Sequence, residues 1–208
     1  MLGLYTRGAF ELNVIQQNLP LTMVRDNLEG IPSYPLPAGY SMRGYKPGDE
    51  QLWRDIHLLA DRYSSITPDL FAREFGSEEA VLAERQFYLL DPHQKAVGTA
   101  SAWYDDNFRG REYGRVHWVA IVPRYQGQGL AKPLMAAVCR QLRALGHERA
   151  YLQTSSARLP AIRLYLRFGF IPQIQTAGDV EVWRELEQEL GSSLSPGQEP
   201  AGLAKSGI

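Results

Sequence analysis

The residues of this chain whose types and spacing could do chemistry gather around one turn. Residues 116–131 read Val-His-Trp-Val-Ala-Ile-Val-Pro-Arg-Tyr-Gln-Gly-Gln-Gly-Leu-Ala. An apolar strand runs into Pro123, a glycine-rich turn follows, and a helix begins near Gly129. Gly127 and Gly129 lack the side chains that would hold an anion away from the backbone. The helix start supplies unpaired N–H groups and the positive end of its dipole. A pyrophosphate fits such an end. The turn lacks the Gly-Lys-Ser/Thr ending of a P-loop, and Lys132 stands where a dinucleotide loop has its third glycine. Two side chains could move protons nearby. The His117 imidazole, with an ordinary pKa near ~6.5, can accept one, and the Tyr165 phenol, near ~10, can donate one.

Gln126, Gly129 and Ala131 fit the pattern Gln/Arg-x-x-Gly-x-Gly/Ala. Together with Ala-Ile-Val-Pro just before, residues 119–131 resemble the coenzyme A loop of the GCN5-related N-acetyltransferases. Residues 161–170, Ala-Ile-Arg-Leu-Tyr-Leu-Arg-Phe-Gly-Phe, resemble the Ala-x-x-Leu-Tyr-x-x-x-Gly-Phe segment that many members carry after that loop. With the order of elements included, the resemblance covers residues 39–175. It implies an α/β (mixed α+β) fold whose central, mostly antiparallel sheet carries helices on both faces. The sheet would splay between the strands ending near Val122 and Thr154. Acetyl-CoA is the implied co-substrate, its pantetheine arm lying in that gap.

Acetyl transfer from a thioester to an amine needs an anchored coenzyme, a proton acceptor for the amine and stabilisation of the departing thiolate. The anchoring candidates are the backbone N–H groups of Gln126, Gly127, Gln128, Gly129, Leu130, Ala131 and Lys132. The resemblance implies that backbone groups of Val119 and Ile121 hold the pantetheine arm like an added strand. Thr154 and Ser155 end a strand where the acyl group is expected. The family motif places its general-acid tyrosine at Tyr165; a packing tyrosine is the plain alternative. Arylalkylamine acetyltransferases of the family carry a histidine, linked to a proton relay, at the position of His117. Histone-type members use a glutamate two residues earlier, where this chain has Arg115. Strand alternation puts His117 on the face of Val119 and Ile121. A buried, hydrogen-bonded His117 and a water chain ending at backbone carbonyls stay open as alternatives. Arg158, where many relatives have asparagine, reads as a solvated arginine, with reach to a phosphate as the alternative, and Asp105 and Asp106 as solvated turn acids, with attraction of a cationic amine as theirs. Cys139 reads as a small buried hydrophobe, which favours direct attack in a ternary complex over an acyl-cysteine. The histidines at 57, 93, 117 and 147 show no ligand spacing, so no metal is expected.

The elements that must position these residues follow from pattern. Strands are predicted over 39–45, 86–90, 96–104, 114–122, 150–154 and 170–174. Helices are predicted over 50–63, from Pro68 to about Phe75, after the glycine turn, from Pro160 to Gly169, and over 180–190. The helix after the turn keeps Leu130, Leu134, Val138 and Leu142 on one face, and Gly146 ends it. Residues 105–113 read as a polar turn. Residues 1–38 form an extension whose role stays open between covering the pocket, pairing with another subunit and completing the sheet, 39–190 the acyltransferase-like domain, and 191–208, rich in Gly, Ser and Pro, a disordered tail.

Composition narrows the class. The 208 residues suit one domain, 44% of them are apolar, and the net charge of −1 gives no reason to expect nucleic acid or an anionic membrane. One cysteine excludes an intrachain disulfide and fits a reducing compartment. Neither a signal peptide nor a bilayer-length apolar run is evident, so a cytoplasmic protein is expected. The first reading is an N-acetyltransferase acting on a primary amine of a small molecule or peptide. A non-catalytic acyl-CoA sensor is the second, and a protein binding NADH or ATP with the same turn the third. A homodimer is compatible with the resemblance.

Overall fold

The computed structural model describes residues 13–191. Seven strands form one sheet: β1 (Pro20–Arg25), β2 (Ser41–Gly44), β3 (Gln86–Leu90), β4 (Ala96–Phe108), β5 (Arg111–Ile121), β6 (Ala150–Ser155) and β7 (Ile171–Pro172). Their order is β2-β3-β4-β5-β6-β1-β7. Every pairing is antiparallel except β5 with β6. The helices are α1 (Val14–Gln17), α2 (Asp49–Ala60), α3 (Leu70–Phe75), α4 (Glu79–Arg85), α5 (Ala131–Ala144), α6 (Leu159–Arg167) and α7 (Ala177–Leu190). This is the mixed α/β, mostly antiparallel architecture expected from the sequence.

Alternation along the strands feeds two cores. Leu89, Val97, Val116 and Leu152 pack with α5, α6 and α7 in one apolar cluster. Tyr88 and Ala120 face the other way, into an aromatic cluster built from Trp53 and Ile56 of α2 and Phe71 and Phe75 of α3. No helix among the described residues is long and apolar enough to cross a membrane.

Three segments differ from expectation. Residues 105–113 are mostly strand: Asp105 pairs with Tyr113 and Phe108 with Arg111, and the chain reverses at Arg109 and Gly110, both at positive φ. The polarity that suggested a turn marks a hairpin tip facing water. Asp105 is engaged there, accepting a hydrogen bond from the Tyr151 hydroxyl at 2.8 Å. Helix α4 was not anticipated. Most consequential is β1, from the stretch whose role sequence left open. It pairs along its whole length with β6 and also with β7, so the N-terminal segment is an interior strand. The Arg25 guanidinium holds it in place by donating to the carbonyls of Asn27, Glu29 and Phe168. Of the tail expected to be disordered, only Gly191, the C-cap of α7, lies within the described residues.

Candidate active site

β5 and β6 run parallel and pair only at Gly114–Ala150 and Arg115–Tyr151. Beyond those pairs the strands part, which opens the splay anticipated between Val122 and Thr154. The Val122 N–H bonds back to the Val97 carbonyl at 2.9 Å. Alternation then turns the N–H groups of Ile121 and Val119 away from β4, toward the open side. On β6, Thr154 Oγ1 and Ser155 Oγ are buried and have no hydrogen-bond partner among the described residues.

The glycine turn closes one end of the gap. Pro123–Tyr125 make a single 3₁₀ turn, and the Gln126 amide braces it by donating to the Ile121 carbonyl at 2.8 Å. Gly127 and Gly129 sit at φ +76° and +78°, with nothing within 4 Å of where a Cβ would stand. Glycine is therefore required by the backbone angle rather than by crowding. Helix α5 begins at Ala131 without a side-chain cap. Among the described residues, the N–H groups of Gly127, Gln128, Gly129, Leu130 and Ala131 have no acceptor, while the Lys132 N–H bonds to the Gly129 carbonyl at 3.2 Å. A run of free donors at the positive end of a 14-residue helix fits a pyrophosphate. The Leu130 side chain is buried in the core, so only its backbone faces the gap. Gln128 accepts from the Tyr40 hydroxyl at 3.2 Å, and the Lys132 ammonium lies over the Tyr34 ring.

Tyr165, on α6, is buried in the core shared with α5, and its ring lies 6.4 Å from that of Phe170. Burial raises its phenol to about 12, against the opposing pull of the Arg158 charge. It therefore stays protonated at neutral pH.

His117 lies on the other face, correcting the strand-alternation expectation. Between the pairs Ser101–His117 and Thr99–Ala120, β5 advances three residues while β4 advances two. The extra residue is a β-bulge, with Trp118 in the left-handed region at φ +49°. His117 and Trp118 thus meet the rings of Phe75 and Trp53, whereas Val119 and Ile121 belong to the α5 side. His117 Nε2 lies 2.8 Å from Glu74 Oε2, and the Trp118 indole donates to the same oxygen at 3.0 Å. Burial lowers the His117 imidazole to about 4, so it is neutral at pH 7. The hydrogen bond from His117, aided by that from Trp118, holds the Glu74 carboxylate down at about 2.

Glu74 was not singled out from sequence. Its one signal is its place beside Phe75 and three residues after Phe71, at the border of the buried stripe of α3. His57 is buried, with its ring 5.0 Å from Trp118 and its Nε2 without a hydrogen-bond partner among the described residues. Arg158 is a further correction. It is not free in solvent but bonds both carboxylate oxygens of Asp61, at 2.8 and 3.0 Å, and lies over the Tyr63 ring. It thereby ties the start of α6 to the end of α2. Cys139 is fully buried and its thiol is raised to about 12, which disables it as a nucleophile.

The sequence of residues 53–170 matches the model of the acetyltransferase (GNAT) family. The chain belongs to the GNAT family. This GNAT chain is 32% identical over 155 residues to a mycothiol acetyltransferase of Cellulomonas flavigena, covering 70% of the chain and 43% of that relative. A mycothiol acetyltransferase of Acidothermus cellulolyticus is 29% identical over 178 residues, covering 78% and 54%. The chain spans about half the length of the curated relatives it matches. Among solved structures, a GCN5-related N-acetyltransferase from Sphaerobacter thermophilus superposes with a TM-score of 0.61 at 23% identity, covering 74% of this chain and 48% of that one. At that identity the likeness concerns the GNAT fold.

Proposed function

We propose that this protein transfers an acetyl group from acetyl-CoA to a primary amine by direct attack in a ternary complex. The observation that carries the reading is the run of acceptor-free N–H groups from Gly127 to Ala131 at the end of the β5–β6 gap. Acetyl-CoA supplies the activated acyl group. The loop holds its pyrophosphate, the outward N–H groups of Val119 and Ile121 hold the pantetheine arm, and the unpartnered hydroxyls of Thr154 and Ser155 lie ready to bond near the acyl end. His117, neutral at pH 7, accepts the proton of the attacking amine. In the free protein the Tyr165 phenol holds its proton more tightly than a thiol does. It therefore meets the departing sulfur as a hydrogen-bond donor, and a proton from solvent reaches the thiolate through its hydroxyl.

The acceptor is a small-molecule or peptide amine. The name of the relatives adds mycothiol-type compounds to the panel worth screening. The test begins with a calorimetric titration of acetyl-CoA against propionyl-CoA, NADH and ATP. Selective binding of acyl-CoA followed by turnover of an amine supports the proposal; tighter binding of NADH or ATP removes its basis. Selective acyl-CoA binding without product from a broad amine panel favours the sensor reading.

A further inference from the structure

Two side chains converge on one oxygen atom. Glu74 Oε2 faces His117 Nε2 at 2.8 Å and the Trp118 indole N–H at 3.0 Å. An indole nitrogen only donates, so Oε2 must be an acceptor for Trp118. A carboxylate held ionised has no proton to offer, so the His117 Nε2 must carry the hydrogen that joins it to Glu74. In the neutral ring that leaves the lone pair on Nδ1, and among the described residues nothing donates to Nδ1. The arrangement is held by backbone. The bulge, with Trp118 at φ +49°, sends two successive side chains to one face, where both reach α3. A non-glycine residue in that region is strained, and such strain persists only where surrounding contacts enforce it. The rings of Phe75, Trp53 and His57 pack around the pair.

We infer that Glu74 is the positioning residue of the transfer, fixing His117 as the Nε2–H tautomer so that Nδ1 is the atom that takes the proton. The inference rests on the proposed role of His117 as base. In the step, the amine loses one proton to Nδ1 as its nitrogen bonds the acetyl carbon. The carbon–sulfur bond breaks, and the sulfur leaves with the electron pair as the coenzyme thiolate. The imidazolium so formed keeps its Nε2–H on the Glu74 carboxylate, whose charge stabilises it inside an apolar setting. His117 then releases the Nδ1 proton to solvent, while the thiolate gains one through Tyr165.

The test uses the full chain in two measurements. The first is the ¹⁵N spectrum of the imidazoles in the unaltered protein, with His117 assigned by loss of its signals in His117→Gln. A protonated Nε2 and bare Nδ1 is the expected result; the opposite tautomer overturns the inference. The second is steady-state kinetics of Glu74→Gln, His117→Gln and the double variant with an accepted amine. Glu74→Gln should lower kcat by about 10- to 100-fold with the acetyl-CoA KM within about twofold, and should cost nothing further in the His117→Gln background. An equal loss in both backgrounds means Glu74 acts on stability alone and overturns the inference. Full activity of His117→Gln overturns the base reading itself, and the tautomer spectrum distinguishes that failure from a misplaced proton. If Glu74→Gln folds poorly, Trp118→Phe serves instead. It leaves the Glu74–His117 bond in place, so the Nε2–H tautomer should persist, and its loss would count against Glu74.

Discussion

Tyr165 carries the sharpest expectation at the scale of single residues. Its hydroxyl has no hydrogen-bond partner among the described residues, and its phenol is raised by burial alone. Tyr165→Phe therefore removes little that holds the fold together. We predict a fall in kcat of about 10- to 100-fold with acetyl-CoA affinity unchanged, read by steady-state kinetics and calorimetry. An unchanged kcat would leave Tyr165 a packing residue. Gly129 behaves oppositely. At φ +78° with open space where a Cβ would go, Gly129→Ala meets no clash but strains the backbone by about 1–2 kcal/mol. The turn should relax away from that angle and scatter its N–H groups. Acetyl-CoA affinity should fall while the far-ultraviolet circular dichroism stays the same.

At the scale of elements, two packings set where the loop points. β4 passes the end of β5 so closely that a Cβ on Gly98 would stand 2.5 Å from Ile121 Cδ1 and 3.0 Å from the Ala120 carbonyl. The side chain can swing away, but the carbonyl belongs to the strand. Gly98→Ala should cost about 1–3 kcal/mol in urea unfolding and weaken coenzyme binding as well, because it shifts the strand that leads into the turn. β1 is the second case. Met23 is fully buried at its centre, between β6 and β7. Met23→Ala should lower stability by about 2–5 kcal/mol, although the residue lies far from the loop in sequence. A value near zero would mean that β1 adds little to the sheet.

The pH dependence of stability belongs to the whole molecule. His57 and His117 are buried and neutral, and burial lowers them to about 3 and about 4. In the unfolded chain both titrate near ~6.5. Below that pH the unfolded chain takes up protons the folded protein refuses, so stability falls as pH drops, through about 4 for His117 and about 3 for His57. Glu74 adds to the loss at lower pH. It is ionised in the folded state down to about 2 but protonates near ~4.3 when unfolded. Urea midpoints should be level above neutral pH, decline below ~6.5 and keep declining below ~4.3, where Glu74 takes over from the histidines. His57→Leu should flatten the upper part of that decline; an identical profile in the variant would remove His57 from the account.

Sequence alone determined whatever depends on neighbours along the chain. Gly127 and Gly129 before an amphipathic helix read as a turn leading into a helix start, and both stand at positive φ ahead of α5, because backbone angle and helix start are local properties. Alternating apolar residues named β3 and much of β4, β5 and β6, and the motif around Tyr165 placed it on a short helix closed by Gly169. The tertiary structure decided what depends on pairing between distant segments. β1 is a strand because β6, encoded some 130 residues later, offers it an edge, and nothing in Pro-Leu-Thr-Met-Val-Arg announces that partner. Arg158 lost its solvent because Asp61 lies across from it. The single added residue in β5 set the face of His117. A bulge is a mismatch between two strands, so it has no signature within either one. That mismatch brought Glu74, His117 and Trp118 together from two elements, and it is why the partner of the proposed base emerged only from the fold.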